Sequence, residues 1–490
     1  MNTSRFSPLF KARSVAMIGA SGDPRKWGFA MLRNLVNGGF EGNIYPVNRE
    51  AEELRGLKVY RSVSEIPEVP DLACIVVPPP AVVPVIKECV AKGVKAGVII
   101  TAGFAELGKE GSRLQSEMVT EARKGGMVLV GPNCNGIMNP WHNLYVDFPH
   151  FHVPPGPIAV VAQSGNVVDA LARQIMLKGL GCSLCVASGN EADLHIEDYL
   201  EYLGEDPHTR VILCYIEGFK DGRRFLKTAG EVSKKKPVIA IKVGRTQAGI
   251  MAAASHTAAI AGSDAIFDAA CKQAGIIRAG SLDEMLNIGI AFLRQPIPQS
   301  RRLGIVTAGG GWGVLAADAC AERGFDLVKL PDNVIGELDS FLPAWWSRSN
   351  PVDLVAGSFA DAVYRAVEVV LASPLVDSVV FLSLMPAIKL KRLATPDLEA
   401  SSEEWGNDLA TAIADAMERF NSLAQKYNKP VIVATEHMFA TAVQETRIIY
   451  ALGRHNTMCY HQPHHAAQVL NALAEYGERG PKTSKRGLTG

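Results

Sequence analysis

The sequence predicts an α/β protein built from three doubly wound domains. A length of 490 residues corresponds to about three domains of roughly 150 residues each. One strand–loop–helix pattern, which we call a figure, also occurs three times along the chain: a short apolar strand, a loop of small residues, and then a helix. The strands are continuously apolar rather than alternating, which is typical of parallel sheets covered by helices on both faces. Each figure therefore opens one predicted domain.

The three figures share the order of their elements and differ in their loops. The predicted strands cover 14–18, 158–162 and 303–307. The loops after them read Gly19-Ala20-Ser21-Gly22, Gln163-Ser164-Gly165-Asn166 and Ala308-Gly309-Gly310-Gly311-Trp312-Gly313. The helices that follow are predicted from about residue 28, over 167–177 and over 314–323. Other apolar runs complete the sheets, at 43–47, 72–78, 97–100, 127–130, 211–215, 237–241, 376–384 and 430–434.

Two segments are predicted as linkers between these domains. Residues 152–157 are rich in Pro and Gly, and residues 294–302 are polar; Pro and Gly resist continuing either regular structure. The predicted domains are 1–152, 153–297 and 298–475. The tail 476–490, rich in Gly, Lys, Arg and Ser, is predicted to be disordered.

Composition excludes several classes of partner. Fifty basic residues balance fifty acidic residues, so we expect neither nucleic acid nor an anionic membrane as a partner. The first residues contain no apolar signal region and no stretch reaches about 18 apolar residues, so we expect a cytoplasmic protein. Nine scattered cysteines fit reduced thiols. The single CxxC, Cys182 to Cys185, lies in a predicted strand and is interpreted as structural.

The three small-residue loops are candidate phosphate sites. Ligands of doubly wound sheets bind beyond the carboxyl ends of the strands, where helix N-termini favour anions. The first loop, with Gly28 after it, does not have the G-x-G-x-x-G spacing of the dinucleotide fingerprint. The second strand of that domain ends in Asn48-Arg49, and an Arg at this point favours a phosphate on or near a ribose. This pattern points to NADP or to the phosphates of coenzyme A.

A single histidine, His256, stands among small residues in the stretch 252–262. Gly244, Gly249 and Gly262 surround it, so the backbone can approach a ligand closely. We interpret His256 as a nucleophile or base. The chain contains no P-loop sequence and no H-E-x-x-H. Four histidines near the C-terminus flank Pro463 in a predicted loop, but they lack supporting Cys or carboxylate spacing, so no metal site is predicted; they are His455, His461, His464 and His465.

Seven motifs in order resemble the α subunit of the NDP-forming acyl-CoA synthetases, the superfamily of ADP-forming acetate–CoA ligase and succinyl-CoA synthetase. The resemblance covers nearly the whole chain. The motifs are Ile18-Gly19-Ala20-Ser21, Gly131-Pro132-Asn133-Cys134, Gln163-Ser164-Gly165, Gly189-Asn190-Glu191-Ala192-Asp193, Ile216-Glu217-Gly218, Ser255-His256-Thr257 and Asn350-Pro351-Val352-Asp353. The resemblance implies an N-terminal Rossmann-like coenzyme A-binding domain followed by two flavodoxin-like CoA-ligase domains.

The resemblance implies that His256 is phosphorylated and relays a phosphoryl group between the nucleotide and an acyl phosphate, from which coenzyme A displaces phosphate. Glu217 would accept the proton of one imidazole nitrogen and leave the other free to attack phosphorus. Two helix N-termini would bind the phosphoryl group, at Ser164, Gly165 and Asn166 and at Gly309, Gly310 and Gly311. Residues implied around coenzyme A are Gly19, Ala20, Ser21, Asn48, Arg49, Pro78, Thr101, Gly103 and Asn133.

The sequence departs from the family pattern at three positions. Ala258 replaces a common Gly, Trp312 replaces the usual Pro, and Asn135 stands where an apolar residue is common. The last two lead us to expect an acid larger, more polar or more aromatic than acetate. Trp345 and Trp346 are candidates either to line its pocket or to form an exposed or interfacial pair.

The three predicted domains leave no room for the ATP-grasp domain that handles the nucleotide in this family, because such a domain needs on the order of 200 residues. The resemblance therefore implies a separate β subunit that carries ATP or ADP and Mg²⁺, and an α2β2 hetero-oligomer acting on a small carboxylic acid or its acyl-CoA together with phosphate. Two alternatives stay open: a coenzyme A-binding regulatory or scaffold protein, and an NADP-dependent oxidoreductase.

Overall fold

The computed structural model describes residues 4–256, 263–355, 360–383, 402–435, 449, 451–453 and 457–479. The described residues divide into two compact units. One is assembled from Met1–Met176 and Leu180–Leu282, and the other from Leu177–Gly179 and Asp283–Gly490. Each unit is described by itself below.

The first sheet of the first unit is a parallel sheet of five strands in the order β2-β1-β5-β6-β7. A two-residue antiparallel pair, β3 with β4, lies outside it. The core around the five-stranded sheet is apolar and contains Ile75 and Phe104, both fully buried. The elements are β1 Ser14–Ile18, β2 Asn43–Val47, β3 Glu53–Leu54, β4 Leu57–Lys58, β5 Leu72–Ile75, β6 Ala96–Ile99 and β7 Val128–Val130, with helices α1 Ser7–Phe10, α2 Trp27–Asn37, α3 Pro79–Lys92 and α4 Lys109–Lys124.

The second sheet of the first unit has seven strands, in the order β14-β13-β12-β10-β11-β8-β9. The strands from β14 to β11 are parallel, and β8 and β9 are antiparallel. The elements are β8 Gly136–Asn139, β9 Leu144–Asp147, β10 Pro155–Ala162, β11 Cys182–Ala187, β12 Val211–Ile216, β13 Val238–Lys242 and β14 Ile277–Arg278, with helices α5 Gly165–Leu177, α6 Ile196–Glu205, α7 Gly222–Ser233, α8 Gln247–His256 and α9 Asp264–Ala274.

Strands β8 and β9 differ from the sequence prediction. Their residues fall within the segment 1–152 that we assign to the first domain, yet β8 pairs with β11 of the second sheet. The Pro/Gly-rich segment 152–157 thus follows the point at which the chain passes from one sheet to the other. Both strands are fully buried and only four residues long, so they give no long apolar run in the sequence.

The sheet of the second unit is parallel, with the strand order β16-β15-β18-β19 and with β17 paired to β15. Its core includes a cluster of aromatic rings in which Phe420 packs against Phe381 and Tyr364 at centroid distances of 4.9 and 4.8 Å. The described elements are β15 Arg302–Thr307, β16 Asp326–Leu327, β17 Val352–Asp353, β18 Ser378–Leu382 and β19 Val431–Ala434, with helices α10 Leu282–Arg294, α11 Gly310–Ala321, α12 Asp332–Asp339, α13 Ala360–Ala372, α14 Ser402–Tyr427 and α15 Pro463–Arg479. All of α10 except its first residue belongs to this unit.

Helix α15 corrects two predictions near the C-terminus. Residues 476–479, which we predict to be disordered, are helical because Tyr476 packs edge-on against Phe292 at 5.2 Å and Glu478 pairs with Arg301 at 2.7 Å. Residues 464 and 465 lie in the first turn of this helix rather than in a loop, since Pro463 is its first residue, a position that proline favours. Residue 455 and residues 480–490 lie outside the described residues.

Candidate functional site

The turn between β1 and α2 is packed too closely for side chains. Gly19 has a φ of +90°, and a Cβ on it would lie 2.1 Å from the carbonyl oxygen of Val76. A Cβ on Gly28 would lie 1.9 Å from the carbonyl oxygen of Gly19. Both positions therefore require glycine. Backbone rather than side chains lines this turn, which is the property that lets a turn approach a pyrophosphate.

The end of β2 is tied to this turn through Asn48. Its side-chain Nδ2 donates to the carbonyl oxygen of Ala20 at 2.8 Å, while its Oδ1 accepts hydrogen bonds from two following backbone amides. Arg49, the next residue, is exposed. The predicted residues Ala20, Ser21, Asn48 and Arg49 therefore lie close together at one edge of the first sheet.

The other residues predicted around coenzyme A also lie at this edge, after β5, β6 and β7. Thr101 donates through Oγ1 to the carbonyl oxygen of Val77 at 2.7 Å. Its own backbone carbonyl oxygen accepts a hydrogen bond from the amide N–H of Asn133 at 3.0 Å. Pro78 directly precedes α3, and Gly103 has a φ of +105°. Because the strands are parallel, these residues share the carboxyl edge of the sheet with the turn after β1.

A polar network that sequence reasoning missed joins this edge to the second sheet. Glu106 accepts hydrogen bonds from the amides of Gly103 and Phe104, at 2.6 and 3.1 Å, and from the side chain of Asn190 at 2.5 Å. Asn190 in turn accepts a hydrogen bond from Asn133 at 3.3 Å. Burial alone would raise the pKa of Glu106, but these hydrogen bonds outweigh it and the pKa is lowered. An ionised Glu106 therefore holds the Gly103 turn in place.

The second small-residue loop lies where β10 passes into α5. Ser164 precedes the helix, Gly165 is its first residue, and Asn166 is exposed. A Cβ on Gly165 would lie 2.1 Å from Cγ of Asn135, whose Nδ2 donates to Oδ2 of Asp169 at 2.9 Å. Asn135 therefore contacts the start of this helix, and its polar character is explained by the Asp169 carboxyl. The free amides of a helix start make this turn a candidate anion site.

Glu217 follows β12 and is 6% exposed. The neighbouring strand β13 ends at Lys242, which pairs in register with Ile216 and is 3% exposed. The ammonium group of Lys242 donates to the carbonyl oxygens of Val243 and Gly244, at 2.9 and 3.4 Å, and burial lowers its pKa. Sequence reasoning missed Lys242, although a lysine that closes an apolar strand was a visible signal.

His256 is the last residue of α8, the helix that follows β13. Its side chain and residues 257–262, with Ala258 among them, lie outside the described part of the chain. The predicted contact between Glu217 and His256 stays a prediction. The topology places the elements that carry these two residues next to each other in order: β13 pairs with β12, Glu217 directly follows β12, and α8 follows β13.

The third small-residue loop begins α11 in the second unit. Gly309 is the N-cap residue, and its amide donates to Oγ1 of Thr307 at 3.1 Å, whereas Gly310 and Gly311 begin the helix and are exposed. A Cβ on Gly310 would lie 3.0 Å from Oδ2 of Asp353. A phosphate at this helix start would therefore meet a carboxylate. That the two helix starts converge on one phosphoryl group stays a prediction.

One tryptophan of the predicted pocket is excluded from that role. Trp346 is 2% exposed, belongs to the core of the second unit, and donates through Nε1 to Asp339 at 2.7 Å. Trp345 is 72% exposed. Trp312, the aromatic departure from the family pattern, is half-buried in the first turn of α11.

The cysteines and the possible metal ligands add no further site. All nine cysteines lie in the described part of the chain, where they are buried and outside any disulfide, and burial raises the pKa of the thiols of Cys134 and Cys459 to about 12. In the part of the chain that is described, no group of three or more His, Cys, Asp or Glu side chains is arranged to hold a metal ion. No described helix combines the length and the apolar character needed to cross a bilayer.

Three family models match the chain in the expected order: a CoA binding domain over residues 13–140, a succinyl-CoA ligase like flavodoxin domain over 155–292 and a Ligase-CoA domain over 303–403. The chain therefore belongs to the family of NDP-forming acyl-CoA synthetases, and the relatives below place it among the α subunits of the ADP-forming acid–CoA ligases. A coenzyme A-binding domain therefore forms the N-terminal part of the chain. Neither the scaffold nor the oxidoreductase alternative is supported by these matches.

Individual relatives agree with this assignment. The α subunit of acetate–CoA ligase [ADP-forming] II from Pyrococcus furiosus is 45% identical over 77% of this chain and 82% of its own. Acetate–CoA ligase [ADP-forming] from Methanocaldococcus jannaschii is 43% identical over 70% of this chain, but only 48% of its own length is covered. A dinucleotide-forming acetyl-coenzyme A synthetase 1 from Ca. Korarchaeum cryptofilum, solved with phosphate and ADP, superposes with a TM-score of 0.83 at 36% identity, over 96% of this chain and 97% of that one.

Proposed function

We propose that this chain carries the phosphohistidine relay of an acid–CoA ligase. Acyl-CoA reacts with phosphate to give an acyl phosphate and free coenzyme A, His256 accepts the phosphoryl group as the acid leaves, and ADP on a partner subunit then accepts it to give ATP. The reverse sequence consumes ATP. The observation that carries the proposal is the buried Glu217 at the end of β12, one strand away from the β13 strand that leads into the helix ending at His256.

Electrostatics support a phosphate at the turn 164–166. A phosphorylated side chain carries roughly two negative charges near neutral pH, and one helix start supplies about half a positive charge. Gly165 brings the backbone amides of α5 within reach of a ligand, while Glu217 would hold the imidazole proton so that the other ring nitrogen stays nucleophilic. Asp353 beside Gly310 makes the start of α11 the weaker anion site of the two.

Replacing Gly165 with alanine is expected to slow phosphorylation of His256 about 100-fold, the cost of misplacing a reacting group by about 1 Å. The new methyl group would lie 2.1 Å from Cγ of Asn135, so the helix start or the Asn135 side chain must move. The rate of label transfer from γ-labelled ATP measures the effect. Asn135→Gly is the matched control, and the double variant is expected to recover most of the wild-type rate. A double variant as slow as Gly165→Ala alone would contradict this explanation.

The coenzyme A groove runs along the carboxyl edge of the first sheet in this proposal. Its phosphates would lie against the turn at Gly19, Ala20 and Ser21, its adenosine end near Asn48 and Arg49, and its thiol near Asn133. Pro78, Thr101 and Gly103 would form the edge of the groove. The close backbone packing at Gly19 and the exposed position of Arg49 support this placement.

Arg49→Ala is expected to weaken coenzyme A binding about 10- to 100-fold, because a hydrogen bond to a charged group contributes roughly 1.5–3 kcal/mol and about 1.4 kcal/mol corresponds to a factor of ten. Isothermal titration would compare coenzyme A with dephospho-coenzyme A, which lacks the ribose phosphate. The loss should disappear with the second ligand. Arg113→Ala, an exposed arginine of α4, serves as the control. An equal loss for both ligands would place Arg49 away from that phosphate.

The partner in this proposal is a β subunit with an ATP-grasp domain, which binds the nucleotide with Mg²⁺, in an α2β2 assembly. Acetate–CoA ligase [ADP-forming] II from Archaeoglobus fulgidus, 33% identical, matches 96% of this chain but only 67% of its own length. The unmatched third of that relative supports an additional domain of about the size that ATP-grasp needs. Nine buried cysteines outside any disulfide support a reducing compartment, and we propose the cytoplasm.

The acid is expected to be more polar or larger than acetate, since Asn135 and Trp312 stand at candidate positions near the acyl group. The test is a coupled assay in which the chain, reconstituted with an ATP-grasp subunit, is offered a panel of aliphatic, hydroxylated and aromatic acids with ATP and coenzyme A. ADP formation that requires both subunits and an acid supports the ligase. Acetate as the best substrate would refute the expectation on the acid, and no turnover with any acid would refute the proposed function.

A further inference from the structure

The carboxamide of Gln163 has all of its hydrogen-bonding capacity engaged at the junction of three strand ends. Its Oε1 accepts the backbone amides of Glu217 and Gly218, at 2.5 and 3.1 Å. Its Nε2 donates to the carbonyl oxygen of Gly218 at 2.9 Å and to Oε2 of Glu191 at 3.0 Å. Two accepted and two donated bonds are the usual complement of an amide side chain. This pattern also fixes the orientation of the carboxamide. In the reversed orientation its NH₂ group would face the N–H groups of Glu217 and Gly218, and donors would oppose donors.

Glu191 holds the other end of this amide. It is 1% exposed, its backbone has a φ of +49°, and its Oε1 accepts the hydroxyl of Ser188 at 2.8 Å. Burial raises the pKa of Glu191 to about 8, although the hydrogen bonds from Ser188 and Gln163 act in the opposite direction. The Ser188 hydroxyl and amide both lie within hydrogen-bonding distance of the carbonyl oxygen of Ala162. Gln163 is therefore hydrogen bonded both to Glu191, which follows β11, and to the backbone that follows β12.

This junction connects the two parts of the proposed relay. Gln163 directly precedes Ser164 and the proposed anion-binding start of α5. Its carboxamide is hydrogen bonded to the backbone amides of Glu217 and Gly218. Buried partners that orient a functional side chain commonly change activity 10- to 100-fold when they are removed. No side-chain atom of Gln163 needs to touch a ligand for this effect, because holding the backbone amides of Glu217 and Gly218 fixes the direction in which the Cα–Cβ bond of Glu217 leaves the chain.

We propose that Gln163 is a positioning residue for Glu217, clamped in place by Glu191, so that the phosphate turn and the group that orients His256 keep one geometry. The inference rests on the proposed phosphohistidine relay. It goes beyond that relay because neither residue touches the phosphoryl group, and it assigns a role to the buried Glu191.

The test is a double-mutant cycle in the complete α–β complex. Gln163→Met keeps the approximate length of the side chain and removes all four hydrogen bonds, and Glu217→Gln removes the group that it orients. We expect Gln163→Met to slow phosphorylation of His256 by γ-labelled ATP 10- to 100-fold in the wild-type background, and less than about 3-fold in the Glu217→Gln background. Equal slowing in the two backgrounds, or wild-type speed in Gln163→Met, would overturn the proposal.

Two further measurements separate positioning from loss of structure. The affinity of Gln163→Met for coenzyme A should stay within about 2-fold of wild type, since the first sheet is untouched; a parallel loss of coenzyme A binding would count against positioning. Glu191→Gln should retain the rate, because an amide can accept from Gln163 and donate to Ser188, whereas Glu191→Ala should resemble Gln163→Met. Equal rates for the two Glu191 variants would refute the clamp.

Controls distinguish this inference from the function on which it rests. Gln174→Ala, a half-buried residue of α5, is expected to behave as wild type. A wild-type complex that turns over but never carries label on His256 would refute the relay itself. Label that forms in the wild type and forms slowly only in the Gln163 and Glu191→Ala variants is the result that the positioning role predicts.

Discussion

His256→Asn is expected to abolish ligase turnover, with a loss of about 10⁴-fold or more, because no other group is proposed to carry the phosphoryl group between the two half-reactions. Asparagine keeps a polar side chain of similar reach but has no nucleophilic nitrogen. Steady-state ADP formation with the partner subunit measures the loss. Binding of coenzyme A should be unchanged, since its predicted groove lies on the first sheet.

The matched control for this variant is His150→Asn. His150 is exposed in the segment between β9 and β10 and has no role in the proposed relay, so its replacement should leave turnover within about 2-fold of wild type. If His256→Asn retained a tenth of the wild-type turnover, the phosphoryl group would have to pass by another route, and the proposed relay would be wrong.

Glu217→Gln is expected to lower the rate of phosphoryl transfer about 10³- to 10⁴-fold, as happens when the carboxylate that orients a catalytic histidine is replaced by an amide. Gln has nearly the same shape, so packing at the end of β12 is preserved. The amide can present either its oxygen or its NH₂ group to the imidazole, so the required tautomer is no longer enforced.

Single-turnover labelling from γ-labelled ATP measures this prediction, with Glu205→Gln as the control. Glu205, the last residue of α6, forms an exposed ion pair with Lys235. Its replacement should have no effect on the rate. A Glu217→Gln enzyme that is phosphorylated within 3-fold of the wild-type rate would show that Glu217 does not orient His256.

The main strands could be predicted from the sequence because each is an uninterrupted apolar run. The strand β1, for example, is predicted at 14–18 and observed at Ser14–Ile18 with every residue buried. The hairpin of β8 and β9 could not be predicted in the same way, because its strands are four residues long and β8 joins the sheet by antiparallel pairing with β11, more than 40 positions away in the chain. The helix through Arg479 was missed because charged and small residues hide its apolar face.

The candidate site divides along a similar line. Small-residue loops and the residues that end strands, such as Gly19, Asn48 and Glu217, are visible as local patterns. The clamp of Gln163 and Glu191 joins positions 28 apart in the sequence, and its partner peptide lies 54 and 55 positions on. Such contacts arise from the order of the strands in the sheet, which the sequence pattern does not contain. Trp346 shows the opposite error, since an aromatic residue predicted at a pocket is part of the core.

The central claim is that the phosphoryl group passes through His256, and one measurement tests it most directly. The complete α–β complex is incubated briefly with γ-labelled ATP, quenched in base, digested, and the labelled peptide is sequenced. The account predicts one label on His256 that is stable at high pH and lost at low pH. The label should be discharged when the carboxylic acid substrate and coenzyme A are added. Label on another residue, or ATP-driven turnover without any labelled intermediate on this chain, would contradict it.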